Sequence, residues 1–191
     1  MSQKPRRALG QLRLQLSMMA LTIVLFLATL AINELFFLRF EFARGINWIY
    51  LPAGIRLLST LLFGGAGAIG LLLVSWAVSF FHFFPDDPVR AFAGGILASL
   101  APYLVYRFMQ RHWGLQETLV NLTTRRLLLC SLLYALASPA LHHLWFAFTE
   151  PDRELLPGFI VMATGDFTGT ILVLYAAKLL LSRWRPRQRT R

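Results

Sequence analysis

Six long apolar runs, each cut off by charge, glycine or proline, limit the possible folds of this chain more than any other feature of its sequence. They cover 16–37, 47–63, 66–84, 90–109, 126–148 and 156–181. A helix rises about 1.5 Å per residue, so roughly 20 residues cross the hydrocarbon core of a bilayer. Inside that core each backbone amide and carbonyl must find its partner within the protein, which leaves helices as the natural form of such runs. The sequence therefore predicts an all-α fold, a polytopic transmembrane helical bundle of about six spans. The second and third runs are separated only by Gly64 and Gly65, which requires a tight helical hairpin unless the second run is broken or re-entrant; Pro52 and Gly54 keep that exception open.

Composition agrees. Hydrophobic residues make up 57% of the 191 and the mean hydropathy is +0.57, well beyond a water-soluble globule. The net charge of +10 would suit a nucleic-acid binder only if it formed a basic face, and here the charge falls in clusters between apolar runs. Those clusters report orientation, because basic loops stay in the cytoplasm. With the N-terminus inside, the inner segments hold Lys4, Arg6, Arg7, Arg13, Arg107, Arg111, Arg125, Arg126, Lys178 and the arginines from Arg183 to Arg191. The outer side holds only Arg39, Arg44, Arg90 and Arg153, together with nearly all the acids. The expected organisation is a basic cytoplasmic N-terminus over 1–15, a six-helix membrane domain over 16–181 and a basic cytoplasmic tail over 182–191, both ends inside. The first run is too long for the apolar part of a signal peptide, so a retained first helix is expected. Leu115, Leu119 and Leu122 recur at helical spacing in an inner loop, which fits either a short surface helix or a plain linker.

Two charged residues fall deep inside predicted spans. Arg56 lies about 12 Å below the outer edge of the second and Asp166 about 15 Å below that of the sixth, counting about 1.5 Å per residue. Charge at that depth is costly, the depths agree and the signs are opposite, so the two are expected to pair near mid-membrane. Such a pair either locks two helices or lines a site for a ligand or a proton. Pro52 and Gly54 precede Arg56 by about one turn, while Thr164, Gly165, Thr168, Gly169 and Thr170 surround Asp166, supplying hydroxyls and close helix approach. These small residues are either site lining or ordinary helix-packing contacts. The candidate ligand site is thus Arg56, Asp166, Pro52, Gly54, Gly165, Thr168 and Gly169.

Other chemistry finds little support. His82, Asp86, Asp87, His142, His143 and Glu150 gather at the outer ends of spans, but in no metal-binding spacing. The single Cys130 lies in an apolar run. No HExxH, GxSxG or Walker motif is present, so neither an enzyme nor a cofactor or metal is expected.

The segment with Trp48, Pro52 and Gly54, leading through an apolar helix to Leu62-Phe63-Gly64, resembles the early segment of the MASE1 family of bacterial integral membrane sensory domains. Gly165-Asp166-Phe167-Thr168-Gly169 resembles that family's late Gly-Asp-x-x-Gly helix. The resemblance implies a sensory bundle in the bacterial inner membrane. This chain is shorter than the family's domain by a helix or two, and nothing like a histidine kinase or cyclic-dinucleotide enzyme follows Arg191, so output is expected from a separate partner protein. Expected partners are the lipid bilayer, an unidentified small ligand and that signalling partner, with no nucleic acid. The rival expectations are a transport protein, such as the substrate-binding subunit of a small-molecule importer with its own transport partner, and an assembly subunit of a membrane complex.

Overall fold

The computed structural model describes residues 4–184. Helix α1 runs Lys4–Phe37, followed by a small antiparallel hairpin of β1, Glu41–Ala43, and β2, Ile46–Asn47. Helices α2 (Leu51–Val78), α3 (Pro88–Trp113), α4 (Thr124–Thr149) and α5 (Leu155–Trp184) complete the fold, with a π-helical turn at Ser79–Phe83 closing α2. Among the described residues, five helices are long and apolar enough to cross a membrane. Large apolar side chains stand exposed along all of them, from Leu9 to Leu181, which is costly in water and neutral in lipid. The fold is therefore consistent with a multi-pass membrane protein.

Helix α2 is two helices in one. Gly64 has φ 54° and ψ −125°, a conformation that only glycine adopts without strain. Beyond it Gly67 lies so near the Ser59 carbonyl that a β-carbon there would collide with it. Residues eight apart on a straight helix are about 12 Å apart along the axis, so the chain reverses at Gly64. Pro52, by contrast, breaks nothing. It sits in the first turn, where a missing N–H is harmless, and the Leu51 amide is held by Asn33 Oδ1 at 2.8 Å.

The connections sort to two ends. One end gathers Glu34, the hairpin, Arg90 and Glu150: Arg44 donates to the His82 carbonyl at 3.4 Å, His82 meets Glu34 at 2.5 Å and Arg90 meets Glu150 at 3.4 Å. At the other end Gly64 faces Tyr106, near the loop from Gly114 to Thr123. That loop is a linker without helix. Gly114 ends α3 in the left-handed conformation, and Leu115, Leu119 and Leu122 turn inward onto the core, which explains their apolar spacing. Helix α1 begins at Lys4, earlier than the apolar run; its 34 residues span about 51 Å, more than a bilayer core needs. The arginines from 185 to 191 used in the charge reading lie outside the described residues, as do the side chains of Lys4, Arg6 and Arg7.

Candidate functional site

The site begins with a stretch of non-helical chain whose ends, Asn47 and Tyr50, are buried. Between β2 and α2 the backbone of 47–50 runs against α5 so closely that a β-carbon on Gly165 would strike the Asn47 carbonyl, and one on Gly169 the Tyr50 carbonyl. The Tyr50 amide donates to the Gly165 carbonyl at 3.2 Å, and Thr168 Oγ1, whose nearest acceptor is the Thr164 carbonyl of its own helix at 2.8 Å, also stands 3.1 Å from the Trp48 carbonyl. One turn into α2, a β-carbon on Gly54 would strike the side chain of Val173. Gly165 and Gly169 thus form a packing seam with the chain leading into α2, flanked by Thr168 and continued by Gly54 against Val173, where missing side chains let the elements approach. Non-helical backbone packed between helices needs such partners, and the Gly165 carbonyl supplies one.

The seam delivers Arg56 and Asp166 into the core, where they are only 7% and 1% exposed. They do not form the expected direct pair: no oxygen of Asp166 comes within 4.0 Å of an Arg56 nitrogen. Helix α4 comes between them in effect, since its Tyr134 lies in the electrostatic reach of both groups. The Tyr134 hydroxyl lies beside Arg56 and the Ser138 hydroxyl beside Asp166, yet neither reaches hydrogen-bond geometry. Arg56 makes one long hydrogen bond, from Nη2 to the Tyr50 hydroxyl at 3.4 Å, and is flanked by the rings of Phe26 and Tyr50 at 5.3 and 5.2 Å. Arg56 Nε, Asp166 Oδ2, Tyr134 Oη, Ser138 Oγ and Thr170 Oγ1 are buried without a hydrogen-bond partner. Each such atom costs about 1–3 kcal/mol, so this cluster is poor at stabilising the fold for its own sake.

Arg56 also faces open space. A cavity of about 70 Å³ leads from it toward the hairpin end, and its walls include Arg44 and Arg90, which the sequence reading left out of the site. A signal was available: both are basic residues on the side that basic residues avoid. Asp166, Pro52 and the seam glycines do not line this cavity.

The histidines and acids at that end disperse. Asp87 caps α3 by accepting from the Arg90 amide at 2.9 Å, and His143 is buried edge-on to Phe146 and Phe159. No three metal-binding side chains converge among the described residues. Compared with protein-family models, curated proteins and solved structures, the chain matches none.

Proposed function

We propose that this chain is a sensory or ligand-binding protein of the bacterial inner membrane, with six spans and both termini in the cytoplasm. The reversal at Gly64 supports six spans rather than five, since it divides α2 into two antiparallel arms. The excess of basic residues in the segments assigned to the inner side, against the few assigned to the outer side, supports the orientation. Its sensory character follows the resemblance of the Trp48–Gly54 and Gly165–Gly169 segments to MASE1 domains.

One observation carries the functional reading. Arg56 and Asp166 are buried in neighbouring helices without satisfying one another, amid hydroxyls that also lack partners. A pair kept only for stability would be expected in direct contact, because charges inside a membrane are expensive when left apart. A ligand or proton reaching this cluster changes its charge balance and so shifts the packing of α2, α4 and α5 between two arrangements, which a partner protein reads.

The test is a thermal-shift screen of detergent-purified protein against metabolites, vitamins and divalent ions, since a ligand at 100 times its Kd adds about 2.7 kcal/mol of apparent stability. The expected result is a stabilising compound whose effect disappears in Asp166→Asn and in Arg56→Gln. A compound that stabilises both variants as it does the wild type would place binding elsewhere and end this reading.

A further inference from the structure

The chemistry of the cavity narrows the ligand class. Its volume of about 70 Å³ holds roughly five water-sized positions, at roughly 10–15 Å³ for each. Arg44, Arg56 and Arg90 line it, Ser75, Ser79 and His142 add polar groups, and no carboxylate is among its walls. Three arginines line one space, and of the three only Arg90 is in an ion pair among the described residues, with Glu150 at 3.4 Å, so an excess of positive charge surrounds the cavity that an anion would offset.

Among the nearby acids Glu150 meets Arg90 through Oε1 at 3.4 Å and Arg153 through Oε2 at 2.6 Å, one carboxylate shared between two guanidinium groups. Glu34 is engaged by His82, and Glu41 accepts from the Gly45 amide at 2.9 Å. Asp166 acts on Arg56 only through space and stands outside the cavity. The donors meanwhile remain available. Arg56 Nε, Arg90 Nε and Ser75 Oγ are buried without partners. The Arg90 guanidinium is held in place by Phe84 and Phe146, with ring centres 4.4 and 5.4 Å away, so it is positioned before any ligand arrives. Guanidinium forks fixed in this manner match carboxylate and phosphate oxygens.

We propose that the cavity binds an oxyanion, a carboxylate or a phosphate, with Arg56 at its floor and Arg44 and Arg90 toward its mouth. This rests on the ligand-binding function proposed above and names the class of ligand. Two sources share the chemistry. A small soluble anion occupies the cavity alone. An amphiphile with one acyl chain places its head there and its chain in an apolar groove of about 650 Å³ along α3, which shares Leu97 and Trp145 as walls with the cavity.

The experiment titrates protein purified in a non-ionic detergent with acetate, inorganic phosphate, decanoate and decyl phosphate at matched ionic strength, following thermal stability, with neutral decyl maltoside as control. The expected result is saturable stabilisation by at least one anion, with a Kd about tenfold or more weaker in Arg56→Gln and about threefold weaker in Arg44→Gln. Arg44 is exposed, so its variant folds even if Arg56→Gln does not. Acetate or phosphate sufficing identifies a soluble anion, and a response confined to the two decyl anions identifies the amphiphile. No saturable effect from any of the four, an equal effect from decyl maltoside, or an unchanged Kd in Arg44→Gln overturns the proposal. A neutral or cationic compound from the broader screen that needs Arg56 and Asp166 overturns the anion while leaving the ligand-binding function standing.

Discussion

The stretch from Asn47 to Arg56 has two sides built on opposite principles. Toward α5 it is sealed: Gly165 and Gly169 bring backbone against backbone, Gly54 makes room for the Val173 side chain, and the Tyr50 amide is bonded by the Gly165 carbonyl. Toward α1, α3 and α4 it is open, with an arginine that makes one long hydrogen bond and borders a cavity. Between membrane helices there is little hydrophobic driving force, so close packing of small residues holds a bundle together. The seam does that for this chain, and the underbonded polar atoms on the other side are left for a different task. The comparison predicts that substitutions on the seam break the fold, whereas substitutions on the cavity side change binding with little effect on the fold.

The largest effect is expected at the seam. Gly169→Leu drives a side chain into the Tyr50 carbonyl, where backbone cannot yield; the expected cost exceeds about 3 kcal/mol, read as loss of monodisperse protein in size-exclusion chromatography. A well-folded Gly169→Leu protein would break the comparison. Next comes the turn that lets α2 present both sides. Gly64→Ala forces a side chain into a positive-φ conformation and should cost about 1–3 kcal/mol, seen as a lower melting temperature, while Gly65→Ala, with open space around it, should melt like the wild type. The smallest effect belongs to the cavity. Ser75→Ala removes a buried hydroxyl that has no partner, so stability should stay within about 0.5 kcal/mol of the wild type or rise, while affinity for a bound anion falls.

Much of this architecture could be read from the chain itself, because in a membrane length and apolarity govern. The runs at 90–109, 126–148 and 156–181 all lie within observed helices, and Gly64 and Gly65 marked the reversal. The burial of Arg56 and Asp166 followed from their depth alone. Their separation did not, since depth along a helix says nothing of rotation about it or of a third helix supplying Tyr134 and Ser138. The hairpin at Glu41–Asn47 was hidden because two short strands leave no periodic signature. The dual role of the small residues was also illegible: Gly54 and Gly169 look alike as site lining and as packing contacts, and only the positions of Val173 and the Tyr50 carbonyl separate the two. Arg44 and Arg90 were set aside as exceptions to the charge rule, although an exception to a rule with a physical cause is itself informative.

The most direct test of the account is the electrostatic character of the cavity. Ser79 lines it near the hairpin end and is 8% exposed. In a Cys130→Ala background, Ser79→Cys would be treated with a sulfonate-bearing and an ammonium-bearing methanethiosulfonate, each rate divided by that of the same reagent with free cysteine. The anionic reagent is expected to be favoured, with Arg44→Gln reducing the preference. Equal normalised rates, or a preference for the cationic reagent, would contradict it.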